Sequence, residues 1–334
     1  MNRTSALIAT LLVSTSLSAE AQQIADKDFV PAVAAPSFAA GKGPVVCLDE
    51  AHHNFHTLDG RFAAFAELLR RDGYVVTPNR AVFDADALST CAVLVIANAQ
   101  PSDEPWNTYP TPTPSAFTPE EVTAVRLWVQ GGGALLLIAD HMPLAGTAKT
   151  LAAAFDVEFS DGFAVAAFAD EAGRPAAMGK PTLFRIGDGT LADHAVVRGR
   201  NADESVQQVR SFTGQAFRAP GAEPLMVLPD NFVSLHPATA WAFTPDTPQV
   251  DVGGWLQGAV KSVGNGHAAF FGEAAMFTAQ RAGENQRPVG LNAPGAEQNA
   301  QFVLNVMHWL TGSRQVQARN AISGSARSAG AQSR

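Results

Sequence analysis

The chain has 334 residues, 46% of them hydrophobic and 16% charged, with a net charge of −8. This is an ordinary globular balance, long enough to bury a real core in one large domain or two modest ones. The acidic surplus argues against nucleic acid or an anionic membrane surface as the main partner. Residues 313–334 carry Arg314, Arg319, Arg327 and Arg334 and no acid, so the rest is more acidic still.

At the N-terminus Arg3 precedes the apolar run Ala6–Val13 and a small-residue stretch ending in Ala19-Glu20-Ala21. This pattern predicts a secretory signal over 1–21 and a periplasmic or secreted product. Ser14, Thr15, Ser16 and Ser18 interrupt the run well short of the ~20 apolar residues of a membrane span. No membrane insertion is therefore expected after cleavage. Residues 22–43, rich in Ala and Pro and without a period, read as a disordered leader.

The first strand is expected at 44–49, a continuous apolar run suited to burial on both faces. It feeds the turn Leu48-Asp49-Glu50-Ala51-His52-His53-Asn54-Phe55-His56-Thr57. A helix follows on the spacing of Leu58, Phe62, Phe65, Leu68 and Leu69, closed by Asp72-Gly73. Strands are expected at 74–76 and 91–97, the latter ending at Asn98. Strand, helix, strand, strand at this spacing begins a parallel doubly wound sheet. Cys47 and Cys91 both read as strand residues. An exported chain allows a disulfide, but cross-strand bridging is difficult, so buried free thiols are expected.

Residues 100–117 form a Pro/Thr/Ser-rich loop with Trp106 and Tyr109, read as a lid beside the crevice. Thr118-Pro119-Glu120-Glu121 starts a helix that runs to Gln130, ended by Gly131-Gly132-Gly133. A strand at 134–139 then delivers Asp140-His141. Residues 157–217 lose helical periodicity and read as a β-rich excursion. Strand character resumes at 225–228, and a hairpin over 254–272 turns at Gly264-Asn265-Gly266 and delivers Gly272-Glu273. The last helix is expected at 297–310, and 313–334 reads as a disordered tail.

Parallel strands bring their carboxyl ends to one edge, where ligands bind in open α/β sheets. Asp49, His52, Asp140, His141 and Glu273 are the expected catalytic set, with Asn98 at the same edge and His56 as a further candidate. Mixed carboxylate and imidazole groups suit either a divalent metal or a metal-free acid/base pair. The plainer reading makes Asp49 a helix cap, Asp140 a turn residue and Glu273 the start of a helix. His53 is expected in solvent, His308 at the edge of the core, and His194, His236 and His267 at surface or turn positions. No dinucleotide fingerprint, P-loop, helical His-Glu-x-x-His or Gly-x-Ser-x-Gly elbow is present.

The segments "LDEAHHNF", "LWVQGGGALLLIADH", "GHAAFFGEAAMF" and "NAQFVLNVMHWLTG" resemble the class I glutamine amidotransferase-like superfamily, most closely its members grouped as domain of unknown function 4350. The resemblance covers about 44–312. It implies a flavodoxin-like, mostly parallel α/β sandwich. It also implies a nucleophilic cysteine after the "GGALLLIA" strand and His-Pro-Glu after the late strand. Here those positions hold Asp140-His141 and Gly272-Glu273-Ala274, so glutamine hydrolysis by that route does not carry over. The expectation is an exported hydrolase acting on a small or glycan-like substrate, with Trp106 and Tyr109 as sugar platforms. A non-catalytic binding or scaffold module of the cell envelope is the alternative. The sequence gives no oligomeric state.

Overall fold

The computed structural model describes residues 23–167 and 182–312. The expected signal and tail lie outside the described residues, as does part of the expected excursion. Five parallel strands form the centre: β1 (Val45–Asp49), β2 (Val75–Asn79), β3 (Val93–Ala97), β4 (Ala134–Ile138) and, from the late hairpin, β6 (Gly266–Phe271). Their order is β2-β1-β3-β4-β6. The hairpin's first arm, β5 (Leu256–Val263), pairs antiparallel with β6 and extends the sheet into short antiparallel strands. The α/β class, with a mostly parallel central sheet and antiparallel additions, is as expected.

The apolar runs of the strands divide by parity because successive side chains point to opposite faces. Val46, Leu48, Val93, Val95, Leu136, Ile138, Ala269 and Phe271 enter one core. Helix α1 (Ala63–Arg71) and a last helix, α4, over 299–312 pack there. Cys47, Leu94, Ile96, Leu135, Leu137 and Phe270 enter the other core, beneath helices α2 (Pro119–Gln130) and α3 (Leu144–Ala153). Each fully buried Leu or Phe stabilises the fold by roughly 1.5–3 kcal/mol, so both faces are firmly held.

Helix α2 begins as expected, with Thr118 and Glu121 forming a reciprocal capping box and Pro119 in the first turn. Helix α1 starts at Ala63, later than its apolar spacing suggests, because turns occupy the preceding residues. Helix α3 has no counterpart in the sequence reading. Leu144, Ala145, Gly146, Thr147, Ala148, Leu151 and Ala152 are all buried, so it shows little of the polar face on which periodicity depends.

Three expectations are corrected. Cys47 and Cys91 form a disulfide with Cα atoms 5.7 Å apart. Cys91 precedes β3 rather than lying in it, and this offset lets the two sulfurs meet. Residues 23–43 are not a disordered leader. Gln23–Ala25 pairs with Ala279–Ala282, and Phe29, Val33 and Phe38 pack against the core. Tyr109 is buried against Phe163, so it is no exposed platform. Residues 100–117 lack regular structure but are anchored through a bridge between Thr108 and Thr239.

Candidate functional site

All five parallel strands point their carboxyl ends to one edge, and register decides which polar groups become neighbours there. Ile138 pairs with both Ala97 and Phe271. Asn98 follows Ala97 directly, while Asp140 and Glu273 each stand two residues beyond their paired strand residues. These three thus come from adjacent strands. Asp140 Oδ2 accepts from the Ala274 N–H at 3.3 Å, and its own N–H donates to Asn98 Oδ1 at 2.9 Å.

Both carboxylates are buried, Asp140 to 8% exposure and Glu273 to 1%. Glu273 accepts from the Ala275 and Met276 N–H groups, each at 2.8 Å, just ahead of a short 3₁₀ turn over Ala275–Phe277. Burial first, and the Asp140 charge second, raise the Glu273 carboxyl well above the usual range. His141 adjoins Asp140 with Nε2 4.0 Å from Oδ1. Its Nδ1 lies 2.9 Å from the Met142 carbonyl, an acceptor that places the Nδ1 proton and leaves the Nε2 lone pair free in the neutral ring. Stacking on Phe163, with centroids 4.3 Å apart, fixes the ring plane.

Asn98 also links this cluster to His56. Its Nδ2 donates to His56 Nδ1 at 3.2 Å. Asn98 is in the left-handed region at φ +54, a conformation its short amide side chain tolerates better than most. His56 is buried among aromatic rings, 4.9 Å from Phe62, and burial, aided by the Arg61 charge, pushes its pKa down to about 3. It is a neutral imidazole at physiological pH.

Asp49 and His52 do not join this group. Asp49 extends the parity of Cys47, toward the α2 face. His52 Nδ1 lies 3.0 Å from each Asp49 carboxylate oxygen, and its Nε2 lies 2.8 Å from Glu121 Oε1. Both ring nitrogens are engaged, and the ring packs against Phe83 and Phe117. Asn54 Nδ2 donates to Asp49 Oδ2, while the Phe83 and Thr118 N–H groups donate to Glu121. Burial opposes a charged imidazole, but Asp49 and Glu121 outweigh it and raise the His52 pKa. This is a closed ionic cage that staples the end of β1 to the start of α2. Glu121 stands in the first turn of α2. Its capping-box position was visible, whereas its second partner, 69 residues away, was not.

Of the remaining histidines, His53 is paired with Asp103 at the surface. His308 lies 2.7 Å from Asp72 and 2.6 Å from the Ser37 hydroxyl, so it is anchored at the core edge. His194 caps the short helix Ala195–Arg198. Among the described residues no group of three or more His, Cys, Asp or Glu side chains is arranged to hold a metal ion. Nor is any described helix long and apolar enough to cross a membrane.

No protein-family model and no curated protein sequence matches the chain. Solved structures resemble it to differing degrees. The N-terminal domain of mmIFT52 superposes with a TM-score of 0.53 at 13% identity, over 80% of this chain and 97% of that one. A protein described as ThuA-like from Bacteroides uniformis ATCC 8492 gives 0.41 at 12% identity, over 84% and 94%. A cytoplasmic protein from Salmonella typhimurium gives 0.44 at 14% identity, over 80% and 98%. At 13% identity the mmIFT52 likeness shows a shared fold alone, and function must be argued from the site.

Proposed function

We propose that this chain is an exported hydrolase that works by carboxylate–imidazole acid–base chemistry on a small or glycan-like substrate. One observation carries the reading. Asp140 and Glu273 are buried side by side at the sheet edge where α/β proteins bind ligands, without an opposing charge among the polar partners described above. Two like carboxylates kept together cost stability, an arrangement found where function demands it. His141 Nε2 takes a proton from the attacking water, and Asp140 orients that water and stabilises the resulting imidazolium. Glu273 lies behind them, more deeply buried, as a positioning residue. The only two cysteines are joined to each other, which leaves no thiol for amidotransferase-type attack. The disulfide also supports export to an oxidising compartment. The narrower kinship with domain of unknown function 4350 belongs to this proposal as well, resting on the quoted motifs.

A panel of chromogenic esters, amides and glycosides tests the reading. Turnover by the wild type should fall at least ~100-fold in H141A and D140N, the scale of a lost acid–base group. Full activity in both variants would overturn it. N-terminal sequencing of the exported protein should begin near Gln22, and an intact Met1 would refute cleavage.

A second reading rests on the hydrogen bonds themselves. Both Asp140 and Glu273 accept from main-chain N–H groups, so each is satisfied without substrate, as a binding or scaffold module of the envelope requires. Binding without turnover would favour it.

A further inference from the structure

We propose that Trp241 is the stacking platform of the Asp140–His141–Glu273 site and selects a neutral sugar ring as its ligand. This rests on the reading that the cluster is a substrate site. The residue is bulky, yet its backbone lies in the left-handed region at φ +59. Side chains of this size rarely adopt that conformation, and such strain gathers at ligand-binding positions. The indole is 47% exposed, although a large apolar ring gains most from burial. Its ring lies 4.8 Å from His141 and 5.1 Å from Phe163, which places it at the mouth of the site, against the proposed base. The residues that lead into it are pinned to the segment 107–109. The Tyr109 N–H donates to the Ala238 carbonyl, and the Ala240 N–H donates to the Asn107 carbonyl.

The surroundings choose among flat-faced ligands. An aromatic cage for an organic cation needs several accessible rings. Here Phe163 and Tyr109 are buried, and Phe163 is already stacked with His141. An anion would meet the Asp140 carboxylate. The Asp140 carboxylate and the His141 imidazole beside the indole offer polar partners for hydroxyls. A pyranose matches this, with an apolar C–H face for the indole and hydroxyls for Asp140 and His141.

The test is isothermal titration calorimetry and tryptophan fluorescence on the full chain with neutral gluco-, galacto-, manno- and N-acetylglucosamine oligosaccharides. Tetramethylammonium serves as the cation control. The wild type should bind at least one sugar. W241F should retain part of that affinity, and W241A should lose ~10-fold or more, as expected of an aromatic anchor. Thermal melts of both tryptophan variants confirm folding. Equal sugar affinity in wild type and W241A, tetramethylammonium binding in place of sugar, or no sugar binding at all would each overturn the proposal. Sugar binding through Trp241 without hydrolysis would sink the enzyme reading alone. Hydrolysis of a non-sugar substrate with no sugar bound would sink this inference alone.

Discussion

The Asp49–His52–Glu121 cage and the Asp140–Glu273–His141 cluster stand on the same edge of one sheet and use the same residue types. They differ in how charge is compensated. In the cage an imidazole sits between two carboxylates, with backbone and amide donors on the remaining lone pairs. In the cluster the charged neighbour of a buried carboxyl is another carboxylate, which together with burial raises the Glu273 pKa. The first arrangement holds the fold together, while the second works against it. Like composition at a strand end is thus no guide to role until the sign of each neighbour is known.

Breaking the cage should give the largest effect. H52A leaves Asp49 and Glu121 buried without the imidazole they share, and denaturant unfolding should show a loss of about 3–5 kcal/mol. The pH dependence has a definite sign. The folded pKa of His52 is raised, so its contribution is full below ~6.5 and is lost as pH rises through the folded value. Glu121 is lowered, so its contribution is present above ~4.5 and is lost as pH falls. The cage is strongest between these limits, and H52A should remove the loss of stability that His52 gives the wild type as pH rises above ~6.5.

Reduction should act on both clusters together. The Cys47–Cys91 bridge closes a 44-residue separation and ties the strand of Asp49 to that of Asn98. Its removal in a C47S/C91S variant should cost about 4 kcal/mol by loop entropy, read as a fall in the urea midpoint. An unchanged midpoint would mean that β1 and β3 are aligned by pairing alone.

Asn98 tests the cluster's frame more gently. N98G keeps the left-handed backbone but leaves His56 Nδ1 and the Asp140 N–H without their partner, at a cost of about 1–3 kcal/mol. No loss would show that water replaces the amide.

The smallest effect should have the opposite sign. D140N removes the charge that repels Glu273, so stability at neutral pH should be equal to wild type or up to ~1 kcal/mol higher while activity disappears. Glu273 has a raised folded pKa, so it lowers wild-type stability progressively as pH climbs from ~4.5 through the folded value. E273Q should abolish that slope. A steeper slope in E273Q would assign the titration to another group.

By itself the sequence determined the parallel sheet, because continuous apolar runs alternating with helical spacing have few other ways to be buried. It also placed Asp49, Asn98, Asp140 and Glu273 at strand ends, where chain direction alone puts them on one edge. Parity was present too, since Asp49 is two residues from Cys47, Asp140 two from Ile138, and Glu273 two from Phe271. Only the tertiary structure assigned those parities to opposite cores, brought Glu121 to His52 and joined Cys47 to Cys91. It alone docked 23–43, buried α3 on nearly every side, and set Trp241 beside His141. The reason is that local pattern fixes which way a side chain points relative to its own strand. What it meets depends on packing between segments far apart in sequence, and no local period encodes that.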